Sequence, residues 1–148
     1  MNYGGDETFE AVIAATVPGQ TVDIERHSGG NWAVVTRRNG GSLWIVVCKR
    51  ENVEWIVEDA QEISASEQAP RSSWTSLLDD EDLDGDNVGV EVTWGAAPPD
   101  VVRGLLFVGG EQFAVDVVDG RYWLVRWDVA DPAESDDWGA DHIDFTAA

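Results

Sequence analysis

The chain has 148 residues, of which 43% are hydrophobic and 26% charged, and this is the length and composition of one globular domain. Its charge is unusual, because 29 acidic residues face 9 basic ones and leave a net charge of −20. Such a charge repels nucleic acid and anionic lipid, so neither nucleic acid nor a membrane surface is expected as a partner.

The N-terminal half predicts one helix followed by a β-meander. Apolar residues recur at three- and four-residue spacing from Asp6 to Val17, and Pro18-Gly19 ends this helix. Asn39-Gly40 is typical of a type I′ hairpin turn, and the unbroken apolar run of the third strand predicts burial on both of its faces. The four strands are expected at Thr21–Glu25, Trp32–Thr36, Leu43–Cys48 and Glu54–Glu58.

The pattern is less regular in the middle of the chain and becomes β again afterwards. Residues 59–70 fit either a short helix or a linker, Arg71–Leu78 predicts a helical turn, and the acidic run Asp79–Asp86 predicts a loop. A second meander follows, in which Asp119-Gly120 is another type I′ signal. Its strands are expected at Val88–Trp94, Val101–Val108, Gln112–Val118 and Arg121–Val129.

These elements predict an α+β fold that is predominantly antiparallel β, with an N-terminal helix and two β-meanders that form a curved sheet or a sandwich. Residues 1–130 are expected to form a single domain. Residues 131–148 are expected to form an acidic tail that either docks through Trp138, Ile143 and Phe145 or lacks fixed structure. Faint similarity between residues 20–60 and 88–129 leaves an internal duplication open.

Negative charge is concentrated in the C-terminal half. Residues 1–74 carry a net charge of −5 and residues 75–148 a net charge of −15. We expect the acids of the second half to form a functional face, and the alternative is that loops and tails collect charge without a function. The first cluster contains Asp79, Asp80, Glu81, Asp82, Asp84, Asp86 and Glu91. The second contains Asp128, Asp131, Glu134, Asp136, Asp137, Asp141 and Asp144.

Two tryptophans are candidate anchors beside these clusters. Six of the eight tryptophans fall in predicted strands, whereas Trp74 and Trp138 lie outside them and next to acids. Tryptophan is enriched at binding hot spots, so both are candidate contacts, with packing onto the core as the alternative. The candidate partner-binding residues are Asp79, Asp80, Asp82, Trp74, Asp136, Asp137 and Trp138.

Residues 80–91 match the pattern of a calcium-binding loop. Carboxylates alternate along the segment, Gly85 permits a sharp turn, and the last residue is a glutamate that can bind calcium through both oxygens. The segment resembles an EF-hand loop over these twelve residues, although Asn87 replaces an aliphatic residue and Val90–Trp94 predicts a strand where that family has a helix. No cofactor is expected, and the alternative that this resemblance implies is Ca²⁺. Its ligands would be Asp80, Asp82, Asp84 and Glu91.

No catalytic motif is present, and the chain is therefore expected not to be an enzyme. Phosphate-binding loops and the G-x-S-x-G element are absent, His27 and His142 fall in a turn and in the tail, and Cys48 ends an apolar strand, where a buried inert thiol is expected. The N-terminus lacks the pattern of a signal peptide, and Leu43–Cys48, the longest apolar run, is too short for a membrane span. The expected location is the cytoplasm.

The favoured hypothesis is an acidic inhibitor module that covers a basic surface of a toxin or a nucleic-acid-binding protein. In size and charge the chain resembles bacterial immunity proteins and nucleic-acid mimics. The alternatives are a calcium-binding module, a cone-shaped ligand-binding or enzymatic domain, and a structural component of a phage or secretion system. In the last case the charge reflects a salt-loving or GC-rich source.

Overall fold

A computed structural model describes residues 5–28, 30–77, 88–108, 110–130 and 140–145. Among these residues the fold is mostly antiparallel β with one short N-terminal helix, as predicted. The chain divides into two compact units, Met1–Ile63 and Ser64–Ala148. The expected domain over 1–130 and tail over 131–148 stay predictions. No helix in the described ranges combines the length and apolar character needed to cross a bilayer.

The first unit is a four-stranded meander with one helix, and this half of the fold was predicted correctly. The helix α1 (Gly5–Thr16) precedes a sheet of order β1-β2-β3-β4. Its strands are β1 (Gln20–Arg26), β2 (Trp32–Asn39), β3 (Ser42–Glu51) and β4 (Glu54–Ile63). Asn39 pairs with Ser42, so the tight turn consists of Gly40 and Gly41, one residue later than predicted.

Apolar residues four apart place one face of α1 against this sheet. Phe9, Ile13 and Val17 are buried in a cluster that includes Val46 and Trp55. The Phe9 and Trp55 rings meet edge to face at 4.7 Å between centroids. Full burial of each large apolar side chain contributes about 1.5–3 kcal/mol, so this contact holds the short helix in place.

The second unit contains two three-stranded sheets, of order β5-β6-β9 and β10-β7-β8. The expected second meander is wrong in one respect, because β9 pairs with β6 and not with its sequence neighbour β8. Asp119 and Gly120 form the predicted turn between β8 and β9, with φ of 52° and 75°. The strands are β5 (Arg71–Ser76), β6 (Val88–Ala96), β7 (Arg103–Val108), β8 (Glu111–Asp116), β9 (Arg121–Ala130) and β10 (Ala140–Asp144).

Two local predictions are corrected by strand pairing, which spacing along the chain does not reveal. Arg71–Ser76 is a strand and not a helical turn, because it is fully paired with β6. Residues 59–63 continue β4 instead of starting a helix or a linker. Residues 140–144 pair with β7, and Ile143 and Phe145 pack against the core of this unit. That core consists of Leu106, Val108, Val115 and Tyr122, with Phe113, Leu124, Ile143 and Phe145 against it.

Candidate functional site

Of the residues predicted to form a site, the structure describes Trp74 and Glu91. Both lie in the β5-β6-β9 sheet, where Trp74 and Glu91 are register partners. The other predicted partner-binding and metal-binding residues lie outside the described residues, and their roles stay predictions. They are Asp79, Asp80, Asp82, Asp84, Asp136, Asp137 and Trp138.

Trp74 bridges the three strands of its sheet. Its indole Nε1 donates a 3.0 Å hydrogen bond to the carbonyl oxygen of Val129 on β9. To reach β9 from β5 the ring crosses β6 at Gly89, where a Cβ atom would overlap with the indole. The side chain remains partly exposed. Trp74 therefore packs within its own sheet and keeps an exposed surface.

Glu91 forms a buried ion pair inside the second unit. The pair joins register partners on β6 and β9, with 3.0 Å between Arg126 Nη1 and Glu91 Oε1. The Glu91 side chain is 0% exposed and that of Arg126 is 19% exposed, and the guanidinium also lies 5.5 Å from the ring centroid of Phe113. The carboxylate that the calcium-loop pattern needs is thus engaged by an arginine within a strand. The described residues contain no cluster of three or more metal-binding side chains.

The flanks of the two acidic segments converge at one end of the β5-β6-β9 sheet. The amide of Leu77 donates a 3.0 Å hydrogen bond to the carbonyl of Val88, and Val88 is the register partner of Ala130. Residues 78–87, with six acids, connect Leu77 to Val88, and residues 131–139, with four acids, begin after Ala130. Val88 and Ala130, which flank the two segments, are therefore neighbours although they are more than forty residues apart in sequence, since paired Cα atoms lie about 4.5–5.5 Å apart.

Several basic side chains are paired with acids outside these two segments. Arg71 contacts Glu67 at 2.8 Å, and Arg103 contacts Asp116 at 3.4 Å. In the first unit, Arg37 Nη1 lies 2.7 Å from Glu10 Oε1. Together with the Arg126 pair and the pair of Lys49 with Glu51 at 3.2 Å, five of the nine basic residues contact acids outside these two segments.

A groove of about 300 Å³ lies beside the last strand, and sequence analysis did not detect it. Residues 140–145 were predicted to be part of a tail because few residues in this segment are apolar and acids flank it. Only the pattern His142-Ile143-Asp144-Phe145, in which polar and apolar residues alternate, signalled a strand there. The residues that line the groove are Gln68, Ala69, Pro70, His142, Ile143 and Phe145.

The reactive residue types in the described part of the chain do not come together. Cys48 is fully buried, and burial raises the pKa of its thiol to about 12, as expected for an inert side chain. His27 lies in the turn after β1, where its amide donates to Trp32 O at 3.0 Å. His142 stacks on Phe107, with 4.3 Å between ring centroids and 9° between planes.

No protein-family model matches the chain, and no similar protein was found among curated proteins or solved structures.

Proposed function

We propose that this chain is an acidic binding module that covers a basic surface of a partner protein and inhibits it, as immunity proteins and nucleic-acid mimics do. The observation that carries the proposal is that residues flanking the two acidic segments, Leu77, Val88 and Ala130, are neighbours in one sheet. The proposed partner is a toxin or nucleic-acid-binding protein, and the proposed compartment is the cytoplasm.

Convergence matters because exposed charges act together only over short distances. The Debye length in physiological salt is about 8 Å, so acids scattered over a domain are screened from one another. We propose that the ten acids of these two segments, whose flanking residues are paired in one sheet, act together as one region of negative potential. Complementary potentials accelerate association with a basic surface and disfavour acidic competitors.

Two further features support a stoichiometric binding role. Five basic residues form ion pairs with acids outside residues 78–87 and 131–139, so part of the basic charge of the chain is engaged away from the two acidic segments. Trp74 lies in the same sheet, fixed by its bond to Val129 and by its packing on Gly89. A fixed aromatic side chain beside a charged region loses little entropy on binding, which is what a contact anchor requires.

The proposal is tested by neutralising one acidic segment. The variant D79N/D80N/E81Q/D82N removes four charges, and the control D23N/E54Q/E58Q/E62Q removes four exposed charges from the first unit. Each protein is immobilised and used to capture partners from a lysate of the source organism at 50 mM salt. We expect wild type and control to retain a basic protein that 0.5 M salt releases, and the first variant to lose it.

The captured protein is then purified, and its affinity for all three chains is measured by calorimetry. We expect neutralisation of residues 79–82 to weaken binding at least about tenfold and the control to change it less than about threefold. Equal losses in both variants would show that total charge, not the converging segments, determines binding. If the wild-type chain retains no basic protein at all, the proposed function is wrong.

A further inference from the structure

The groove beside β10 follows the edge of its sheet. His142 stacks on Phe107 on one face of the sheet, whereas Ile143 packs against the core on the other face. Successive side chains of a strand point to opposite faces, so a groove that touches both residues runs along the side of the strand. In the described residues β10 has one hydrogen-bonded neighbour, β7, and the groove lies at its other side.

Both walls of this groove are held by contacts with the sheets of the second unit. On one wall, Tyr122 Oη donates a 2.8 Å hydrogen bond to the carbonyl of Gln68, and the amide of Ala96 donates a 2.7 Å bond to the carbonyl of Glu67. Burial, with a smaller contribution from the charge of Glu67, raises the pKa of Tyr122, so its hydroxyl keeps the proton that it donates. The groove is therefore preformed, which lowers the entropy cost of binding.

The opposite wall is β10 itself, held by packing over Gly104. A Cβ atom at residue 104 would lie 3.0 Å from the Phe145 ring and 3.1 Å from Ile143, so the missing side chain lets both residues approach β7 closely. Phe145 also meets Tyr122 edge to face at 5.8 Å between centroids. An apolar side chain that enters the groove would contact Pro70, Ile143 and Phe145.

The sequence of β10 favours a basic occupant. The strand contains Asp141 and Asp144 and no lysine or arginine. An open strand edge offers backbone donors and acceptors to another extended chain. In such pairing, residues of the added strand alternate between the two faces, so apolar residues can enter the groove while basic ones remain near the acids.

We propose that β10 is a docking edge for an extended segment of a partner protein in which basic and apolar residues alternate. The segment adds a strand to the β10-β7-β8 sheet and places an apolar side chain between Pro70 and Phe145. This inference rests on the proposed function, because it specifies how part of a basic partner is held.

A pair of synthetic peptides tests strand addition separately from charge. The first is the capped hexapeptide Lys-Val-Lys-Val-Lys-Val, and the second is the same peptide with N-methylated valines, which lack the backbone donors. Binding is measured by calorimetry, and hydrogen exchange of the amides of residues 142–145 is followed by NMR. We expect the first peptide to bind at least about tenfold more tightly and to slow exchange in β10. Equal affinity of the two peptides would overturn the inference.

A groove-filling variant provides the structural control. Ala69→Phe adds a ring to the groove, and Ala114→Phe adds the same ring at an exposed position on β8, away from it. We expect the first substitution to weaken binding of the unmethylated peptide at least about fivefold and the second to leave it unchanged, with circular dichroism confirming that both variants fold. Unchanged binding in both would also overturn the inference.

The two proposals fail in different ways. If neutralising residues 79–82 abolishes capture of a basic protein but the peptide leaves exchange in β10 unchanged, the acidic module stands and the docking edge does not. If the peptide protects β10 while no basic protein is captured, the edge stands and the proposed function does not.

Discussion

Arg37 in the first unit and Arg126 in the second unit both form contacts inside the fold, and the two are stabilised in different ways. Arg37 on β2 is 1% exposed and donates to the carbonyls of Val17 at 3.1 Å and Gly19 at 2.9 Å, which follow α1. Its other partners are the Thr21 hydroxyl and Glu10, a side chain that is 56% exposed. Arg37 thus satisfies backbone groups at the helix C-terminus, where a cation is favourable.

Arg126 neutralises a buried charge instead. It forms an ion pair with the Glu91 carboxylate, which has no exposed surface, and its guanidinium lies over the Phe113 ring. A buried ion pair can be replaced as a unit by apolar residues, whereas removal of one partner leaves an isolated charge. The two arginines therefore differ in what their loss leaves behind: backbone carbonyls without a donor in one unit and a buried carboxylate without its arginine in the other.

The largest effect is expected when the Glu91 charge is isolated. We expect Arg126→Met to lower the free energy of unfolding by about 3–5 kcal/mol, because the carboxylate stays buried without a counter-charge. The double variant E91L/R126M should recover most of this loss. Urea unfolding monitored by tryptophan fluorescence measures both. A double variant no more stable than the single one would show that the pair is not an independent unit.

A slightly smaller loss is expected at the helix terminus. We expect Arg37→Met to lower the free energy of unfolding by about 2–4 kcal/mol, because the carbonyls of Val17 and Gly19 lose their donor. Here the second substitution, Glu10→Gln, should bring no recovery, since Glu10 is more than half exposed and solvated on its own. Recovery in R37M/E10Q would contradict the distinction between the two arginines.

The stability of each unit at alkaline pH depends on one buried group that can lose a proton, the Cys48 thiol in the first unit and the Tyr122 hydroxyl in the second. Burial raises the pKa of Cys48 to about 12 and also raises the pKa of Tyr122. The folded chain therefore binds these protons more tightly than the unfolded chain, and stability should be complete below about pH 8.5 and fall as pH rises toward 12. Unfolding at pH 7, 9 and 10.5 measures this slope. Cys48→Ala and Tyr122→Phe should each reduce it, and an unchanged slope in both would contradict the assignment.

The tight turns of the two units differ in backbone strain, and the expected effect on stability is smaller. Asn52 and Val53 join β3 to β4 with φ of 55° and 85°, and Asp119 and Gly120 join β8 to β9 with similar angles. A β-branched residue in this region is strained, so we expect Val53→Gly to raise the free energy of unfolding by about 1 kcal/mol. Val102→Gly, at an equally exposed valine outside that region, should give no gain. Thermal unfolding compares them, and equal effects would show that exposure, not φ, is responsible.

The smallest expected effect is that of calcium. Because Arg126 engages Glu91 within β6, we expect 1 mM calcium to leave the melting temperature of the wild-type chain unchanged. Magnesium at the same concentration is the control for ionic strength. A rise with calcium alone, lost in Asp82→Asn, would establish the calcium site predicted from residues 80–91.

Local patterns predicted the first unit well because its contacts are close in sequence. Strands β1 to β4 pair in order, so hydrophobic spacing and turn residues sufficed, and Phe9, Ile13 and Val17 marked the buried face of α1. The second unit depends on distant pairing. A helical turn was predicted at Trp74 because its spacing from Leu77 suits a helix, yet β6 supplies hydrogen bonds that make the segment a strand.

In the candidate site, too, local features were predicted and contacts between distant residues were not. Composition identified the acidic segments and Trp74, but not the buried pair of Glu91 with Arg126 or the groove beside β10. Both join residues more than thirty positions apart, and no local pattern encodes such pairs.

By itself the sequence determined the charge, the helix, the strand-rich composition and the burial of Cys48, since these follow from residue type and local spacing. Only the tertiary structure decided that β9 pairs with β6, and therefore that residues flanking two separate acidic segments meet at Val88 and Ala130. The physical reason is that strand partners are selected by packing and backbone hydrogen bonds across the sheet, and these depend on residues remote in the chain.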